Sequence, residues 1–135
     1  VKALWRNDAV NETFPEYSTP EGWAYAKCVV SHTAGAGEVA ILNGYISKLS
    51  TAQATMIAWS AYSTNGGSSW NVAGSQTWAT SPGGAYGAAQ VSLNAGIPLT
   101  AGTTYQFGLV GNNYYGGTWA SYFGTCGVTV TIVHQ

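Results

Sequence analysis

The feature that most constrains the fold is a series of short segments that alternate apolar and polar residues, separated by Gly, Pro, Asn and Ser about every ten residues. Helical periodicity is nearly absent. The clearest segment is Gly127–His134, where Val128, Val130 and Ile132 share one face. The segment Thr103–Val110 repeats this alternation. Such a pattern is typical of an all-β chain that folds as a sandwich or a barrel.

The segments predict about eight strands in one sandwich domain. We place these strands at Trp23–His32, Val39–Leu49, Ala54–Ser63, Ser68–Thr80, Ala85–Leu93, Thr103–Gly111, Thr118–Phe123 and Gly127–His134. Residues 1–22 hold four of the five acidic residues, so we expect an N-terminal arm or lead-in there and the sandwich over residues 23–135. Ser47–Ala58 offers a helical alternative, but its β-branched residues favour a strand for the second half.

Charge is scarce in this chain, and that scarcity excludes several kinds of partner. Charged residues make up 7% of the 135 residues, against about 25% in an average soluble protein. Four basic residues and a net charge of −1 are too few to neutralise several phosphates, so no nucleic acid is expected as a partner. No segment approaches the ~18 apolar residues of a membrane-spanning helix, so no membrane insertion is expected. A neutral polar surface favours an extracellular, secreted or virion-surface location, with any signal peptide absent or removed.

The two cysteines, Cys28 and Cys126, predict one disulfide. In an oxidising compartment a bond that closes so long a loop contributes about 4–5 kcal/mol in the chain-entropy model. It would place the first long strand beside the last one. Two separate buried thiols are the alternative. Neither short Cys spacings nor a cluster of His ligands is present, so we expect no metal and no cofactor.

One hairpin carries the most specific local pattern of the chain. It is similar to the Asp-box hairpin, whose pattern is Ser-x-Asp-x-Gly-x-Thr-Trp. Ser63, Gly67 and Trp70 match that pattern, while Asn65 stands at the Asp position and Ser69 at the Thr position. We expect a tight hairpin in which Asn65 bonds the turn backbone and Trp70 packs beneath it. In sialidases and other glycan-handling proteins, the resemblance implies a folding element remote from the chemistry.

The chain as a whole resembles jelly-roll heads. The strand count, the stretch Ala101–Gly108 (AGTTYQFG) and the terminal strand are similar to those of tumour necrosis factor, the complement globular heads and the trimeric tips of phage or bacterial fibres. The resemblance implies an antiparallel β-sandwich of jelly-roll type. It also implies a homo-oligomer, with a trimer favoured, whose apolar axis would hold Tyr105, Phe107, Tyr122 or Phe123.

A surplus of amphipathic rings is the main functional clue. The chain has 6 Trp and 9 Tyr but only 3 Phe. Rings with a polar atom suit ligands such as sugars, which combine C–H faces with hydroxyl groups. In one predicted loop, neutral amides lie beside such rings, and the ligand-binding residues expected there are Asn112, Asn113, Tyr114, Tyr115 and Trp119. Trp78 and Tyr86 form a second candidate group. The alternative is that the Asn-Asn turn only closes a hairpin.

Catalysis is not expected. Glycoside hydrolysis requires two carboxylates, and beyond the N-terminal segment only Glu38 is acidic. A nucleophilic triad requires a His–Asp pair, yet Asp8 is the single aspartate, and we expect His32 and His134 to be incidental. The sequence therefore predicts a non-catalytic, lectin-like domain that binds a glycan or a glycosylated surface receptor. The alternative is a structural subunit of a capsid, tail fibre or surface appendage.

Overall fold

The computed structural model of the chain describes residues 3–10, 27–50, 54–81, 87–116 and 119–135. Within these ranges the regular elements are all β-strands. They are β1 (Ala3–Val10), β2 (Lys27–Thr33), β3 (Glu38–Ser50), β4 (Ala54–Ser63), β5 (Asn71–Ser81), β6 (Gly87–Pro98), β7 (Thr104–Gly116) and β8 (Trp119–His134). No helix in the described ranges is long and apolar enough to span a membrane.

The strands form two four-stranded antiparallel sheets. Sheet I has the order β1-β8-β3-β6 and sheet II the order β2-β7-β4-β5. Consecutive strands cross repeatedly from one sheet to the other, and the two sheets face each other across a common core. This arrangement is the predicted β-sandwich of jelly-roll type.

The number of strands agrees with the prediction, but two of the strands differ. β1 lies inside the segment predicted as a lead-in, where it pairs along β8 from Ala3↔Ile132 to Val10↔Thr125. The two strands predicted at the C-terminal end form one strand, β8. Its ladder with β3 is interrupted between the pairs Ser47↔Thr125 and Leu49↔Ala120. The interruption lies near the glycine-containing stretch that the sequence pattern placed between the two predicted strands.

The predicted alternation of the last two strands is confirmed. Val128, Val130 and Ile132 of β8 are buried in the core between the sheets, as are Tyr105 and Phe107 of β7. The expectation that the two rings line a trimer axis is therefore wrong, because Tyr105 is 5% exposed and Phe107 0%. Side chains at the inward positions of a sandwich strand pack against the opposite sheet. They are therefore not available for contacts between subunits, which have to be made by other residues.

The disulfide between Cys28 and Cys126 is confirmed, with the Cα atoms 6.3 Å apart. The strand neighbourhood that we expected from it is wrong. β2 pairs with β7 in sheet II, whereas β8 pairs with β1 and β3 in sheet I. Cys28 has a φ of 57° and lies where the β2–β7 register shifts. The bond therefore links the two facing sheets through the core, rather than two strands of the same sheet.

Candidate functional site

The residues predicted to bind ligand lie mostly at one end of sheet II. Asn112, Asn113, Tyr114 and Tyr115 occupy the end of β7, and Trp78 lies in β5. Trp119 is the first residue of β8, which belongs to sheet I, and its register partner is Ser50. Tyr86 lies outside the described residues.

The predicted loop from Asn112 to Trp119 is largely strand. β7 continues through Gly116, whose register partner in β4 is Ala54. The Asn-Asn and Gly-Gly pairs indicate a turn when they are considered locally. Pairing with a long neighbouring strand overrides this local preference, because the backbone N–H and C=O groups that face β4 gain partners in the ladder.

The end of β7 contains a β-bulge. Met56 is paired with Asn113 and Thr55 with Tyr115, so Tyr114 is the additional residue between the two pairs. A bulge bends the strand and changes the direction of the side chains that follow, and bulges are over-represented next to functional sites. The bulge therefore marks the part of sheet II where two predicted site residues, Asn113 and Tyr115, flank an irregular position.

The strand register brings two separately predicted residues into one row. Ile57 of β4 is paired with Trp78 of β5 on one side and with Asn112 of β7 on the other. Directly opposed residues of antiparallel strands are close neighbours on a sheet. Residues far apart in the sequence thus occupy a single cross-strand row, which we call the Trp78 row.

The next row on the same face, two positions along β4, supplies hydroxyl groups. Thr55 is paired with Thr80 on one side and with Tyr115 on the other. The Oγ1 atoms of Thr55 and Thr80 form a hydrogen bond of 2.9 Å at an exposed position. Each hydroxyl retains capacity for a further hydrogen bond, since a hydroxyl has one donor and two acceptor sites. Neutral hydrogen-bonding groups therefore lie two positions along the strands from an indole ring, on the same face.

Trp78 is the most exposed large apolar side chain among the described residues. Its side chain is 44% exposed, and Val72 of the same strand is 40% exposed. Ala73, one position from Val72, is packed in the core. Because successive side chains of a strand point to opposite faces, β5 buries one side and presents apolar surface on the other.

A second apolar cluster lies on the outer face of sheet II and includes Ile57 of the Trp78 row. This outer cluster consists of the buried residues Ile57, Trp59, Ala61 and Val110, with Trp70 packed against it. The sequence analysis missed it. The signal was present in β4, where Met-Ile-Ala-Trp is a continuous apolar run, and such runs are typical of strands buried on both faces.

The Asp-box-like hairpin is a rigid turn next to the outer cluster. Ser63 Oγ accepts hydrogen bonds from the backbone N–H groups of Asn65 (3.3 Å) and Gly67 (2.9 Å). Asn65 Oδ1 accepts the backbone N–H of Ser69 at 3.0 Å, which confirms the predicted bond to the turn backbone. Trp70 packs against the outer cluster, as expected. The hairpin is therefore a folding element that supports sheet II.

No formal charge reaches this part of the chain. From Leu49 to Gln135 the sequence contains no Asp, Glu, Lys or Arg, so β4, β5 and β7 are all without charged residues. From these three strands, a ligand at the Trp78 row therefore meets an indole ring, hydroxyl groups and backbone rather than an ion. This excludes recognition of an anion by a salt bridge from these three strands.

A largely buried contact between His32 and Glu38 lies at the other end of the sandwich. His32 Nε2 is 2.6 Å from Glu38 Oε2, and the backbone N–H of Gly35 donates to the same oxygen at 2.9 Å. His32 thus links β2 to the start of β3 as part of the fold. It is paired with Tyr105, seven positions along β7 from Asn112, a separation of about 24 Å at ~3.4 Å per residue. Within the described ranges, no three His, Cys, Asp or Glu residues are grouped to hold a metal ion.

No protein-family model and no curated protein sequence matches this chain. Among solved structures, the chain is similar to the globular domain of zebrafish complement 1qA protein, with a TM-score of 0.56 and 10% identity over 100% of both chains. It is also similar to a chain of the T13 particle of infectious bursal disease virus, with a TM-score of 0.52 and 11% identity over 98% of this chain and 31% of the viral chain. The resemblance to complement-type jelly-roll heads is confirmed, and at these identities it shows the fold alone.

Proposed function

We propose that this chain is a non-catalytic binding domain that holds a neutral glycan, free or on a surface receptor, at the Trp78 row. The single observation that carries the proposal is the exposure of Trp78, which is 44% exposed among three strands that contain no charged residue. Sugar rings bind by stacking their C–H faces on such a ring while their hydroxyl groups exchange hydrogen bonds with neighbouring polar groups.

The surroundings of Trp78 support a neutral ligand. The hydroxyl groups of Thr55 and Thr80 lie in the next row on the same face, and Asn112 holds the register position across Ile57. Since screening by salt acts on charges, affinity at this row should be nearly independent of ionic strength. An anionic glycan would have to be bound by basic residues elsewhere in the chain, and its affinity would instead fall as salt is added.

The disulfide supports an extracellular or virion-surface location, because such bonds persist in oxidising compartments. A shallow surface with one exposed indole suggests weak binding by a single copy. Several copies in a closed homo-oligomer, with a trimer as the first expectation, would increase the avidity without new contacts. These expectations concern the assembled protein and are tested separately from the site.

The decisive experiment is a comparison of Trp78→Ala with Ile41→Ala on a glycan array, followed by calorimetry with the glycans that bind. Ile41 is a matched control, because it is 40% exposed but lies in sheet I. Loss of a stacked indole should weaken binding at least about tenfold. Ile41→Ala should bind as the parent does. Equal affinity of the parent and Trp78→Ala would contradict the proposed site.

A structural subunit is the alternative, and the exposure of Val72 together with Trp78 favours it specifically. Exposed apolar residues at two places on one edge strand suit contacts between subunits as well as contacts with ligand. Sedimentation of the parent and of Trp78→Ala over a range of concentrations separates the two functions. Assembly that depends on Trp78, in a protein that binds no glycan on the array, would favour the structural role.

A further inference from the structure

The sequence contains two Asn-Gly pairs, Asn43-Gly44 and Asn65-Gly66. An asparagine followed by glycine is prone to deamidation, because glycine has no side chain to hinder its backbone nitrogen from attacking the amide carbon. Both asparagines are exposed to solvent, so exposure does not distinguish them. The backbone around each pair does.

Asn43-Gly44 is held inside β3, the strand flanked by β8 and β6. Asn43 is paired with Asn94 and Thr129, and Gly44 with Leu93 and Val128. An extended residue has ψ near +135°, which directs the following nitrogen away from its side-chain amide carbon. Ring closure there would require the central strand of sheet I to leave its two ladders.

Asn65-Gly66 lies in the connection between β4 and β5, outside any ladder. Gly66 has a φ of 72°, and nothing lies within 4 Å of where a side chain would begin. What holds Asn65 is its own amide. Its Oδ1 accepts Ser63 Oγ–H at 2.8 Å and Ser69 N–H at 3.0 Å, while its Nδ2 donates to Ser69 Oγ at 2.8 Å.

We propose that Asn65 is a site of spontaneous deamidation in the folded protein, and that this amide clamp sets its rate. The deprotonated backbone nitrogen of Gly66 attacks Cγ of Asn65, a C–N bond forms, and the side-chain nitrogen leaves as ammonia. Water then opens the cyclic imide at one of its two carbonyl carbons and yields aspartate or isoaspartate. One water is consumed and one ammonia is released overall, and no oxidant is involved.

The two products affect the hairpin differently. In aspartate the oxygen that replaces Nδ2 accepts a hydrogen bond from the Ser69 hydroxyl, since a hydroxyl donates as well as accepts. The remaining bonds of the clamp stay in place. Isoaspartate adds a methylene to the backbone and moves the side-chain bonds of Asn65 away from Ser63 and Ser69. It should therefore release Trp70 from the outer cluster.

The experiment is peptide mapping by mass spectrometry after incubation of the folded protein in mildly alkaline buffer. The gain in mass that marks deamidation is expected at Asn65 and not at Asn43. Ser69→Ala removes the acceptor for Nδ2, and loss of this one hydrogen bond should accelerate the reaction at Asn65 about fivefold. Ser68→Ala is the matched control at a neighbouring exposed serine and should react at the parental rate.

In urea both pairs should react, because neither the clamp nor the ladder persists. Asn65→Asp supplies the aspartate product directly and should unfold at the parental urea midpoint, whereas the chromatographically separated isoaspartate form should unfold at a lower one. Equal rates at Asn43 and Asn65 in the folded protein would overturn the proposal. So would an unchanged rate in Ser69→Ala, or a reaction at Asn65 confined to urea.

Discussion

The two outer faces of this sandwich differ in the polarity and burial of their side chains. On the outer face of sheet I, Asn43, Ser92 and Asn94 are exposed and polar, as an alternating strand requires. On the outer face of sheet II, Ile57 is 6% exposed and Trp59 7%, although both point away from the common core. Sheet I is thus exposed at these outer positions, whereas sheet II buries apolar residues of β4 on its outer face as well as on its inner one.

This difference explains where apolar surface remains exposed. The outer cluster is buried, but Val72 and Trp78 on the edge strand β5 are not. The exposed residues of β5 therefore lie beside the buried residues of β4, and this packing holds β5 in place. Ile41 on sheet I is similarly exposed, but its register neighbours are Gly96 and Thr131.

The largest effect is expected from the disulfide, which belongs to both sheets. Replacing both Cys28 and Cys126 with Ala should lower the free energy of unfolding by about 4–5 kcal/mol, because the unfolded chain regains the entropy of a long loop. Urea denaturation measures the change. Since the bond links the two sheets, hydrogen exchange should accelerate in both. Acceleration confined to sheet II would mean that each sheet folds independently of the other.

Variants of Trp59 and Asn43 test the difference between the two outer faces most directly. Trp59→Ala should lower the free energy of unfolding by about 3–5 kcal/mol, as truncation of a buried aromatic residue does. Asn43→Ala, on the outer face of sheet I, should change it by less than about 0.5 kcal/mol. Thermal or urea unfolding of both variants supplies the test. A cost below about 1 kcal/mol for Trp59→Ala would show that the outer cluster contributes little to stability.

The smallest effects are expected at the matched pair Val72 and Ile41, each 40% exposed. Val72→Thr and Ile41→Thr keep a β-branched side chain and should each change the free energy of unfolding by less than about 0.5 kcal/mol. Glycan binding sharpens the comparison. Val72→Thr should weaken it by at most about twofold, because Val72 shares the strand and face of Trp78 but is paired with Ala61, four positions along β4 from Ile57. Ile41→Thr should leave it unchanged. Equal losses of glycan affinity in the two variants would contradict a binding site on sheet II.

Much of the fold could be predicted from local pattern. The alternation around Val128 and Phe107 identified the inward faces of β8 and β7, and the Asn65 turn formed as its residues require. β1 escaped prediction because its eight residues alternate weakly and its charged residues resemble a solvated segment. Its place in sheet I depends on pairing with β8, whose partner residues lie at the other end of the sequence.

The candidate site could be predicted only in part. Trp78 and Asn112 were identified by their chemistry, as an amphipathic ring and a neutral amide. Their common row was not foreseen, because it depends on Ile57 of β4 lying between them. The bulge at Tyr114 was likewise hidden, since a bulge is a mismatch between two strands and neither strand contains it alone.

The sequence by itself determined the β class, the inward and outward sides of β7 and β8, the chemistry of the hairpin turn and the absence of charge beyond Lys48. These follow from the side-chain period of a strand and from residue types, which act over a few positions. Only the tertiary structure decided which strands are neighbours, that the disulfide links the two sheets, and that Trp78 shares a row with Asn112. Strand order and register are fixed when distant segments bury a common face, and that free energy depends on the whole chain.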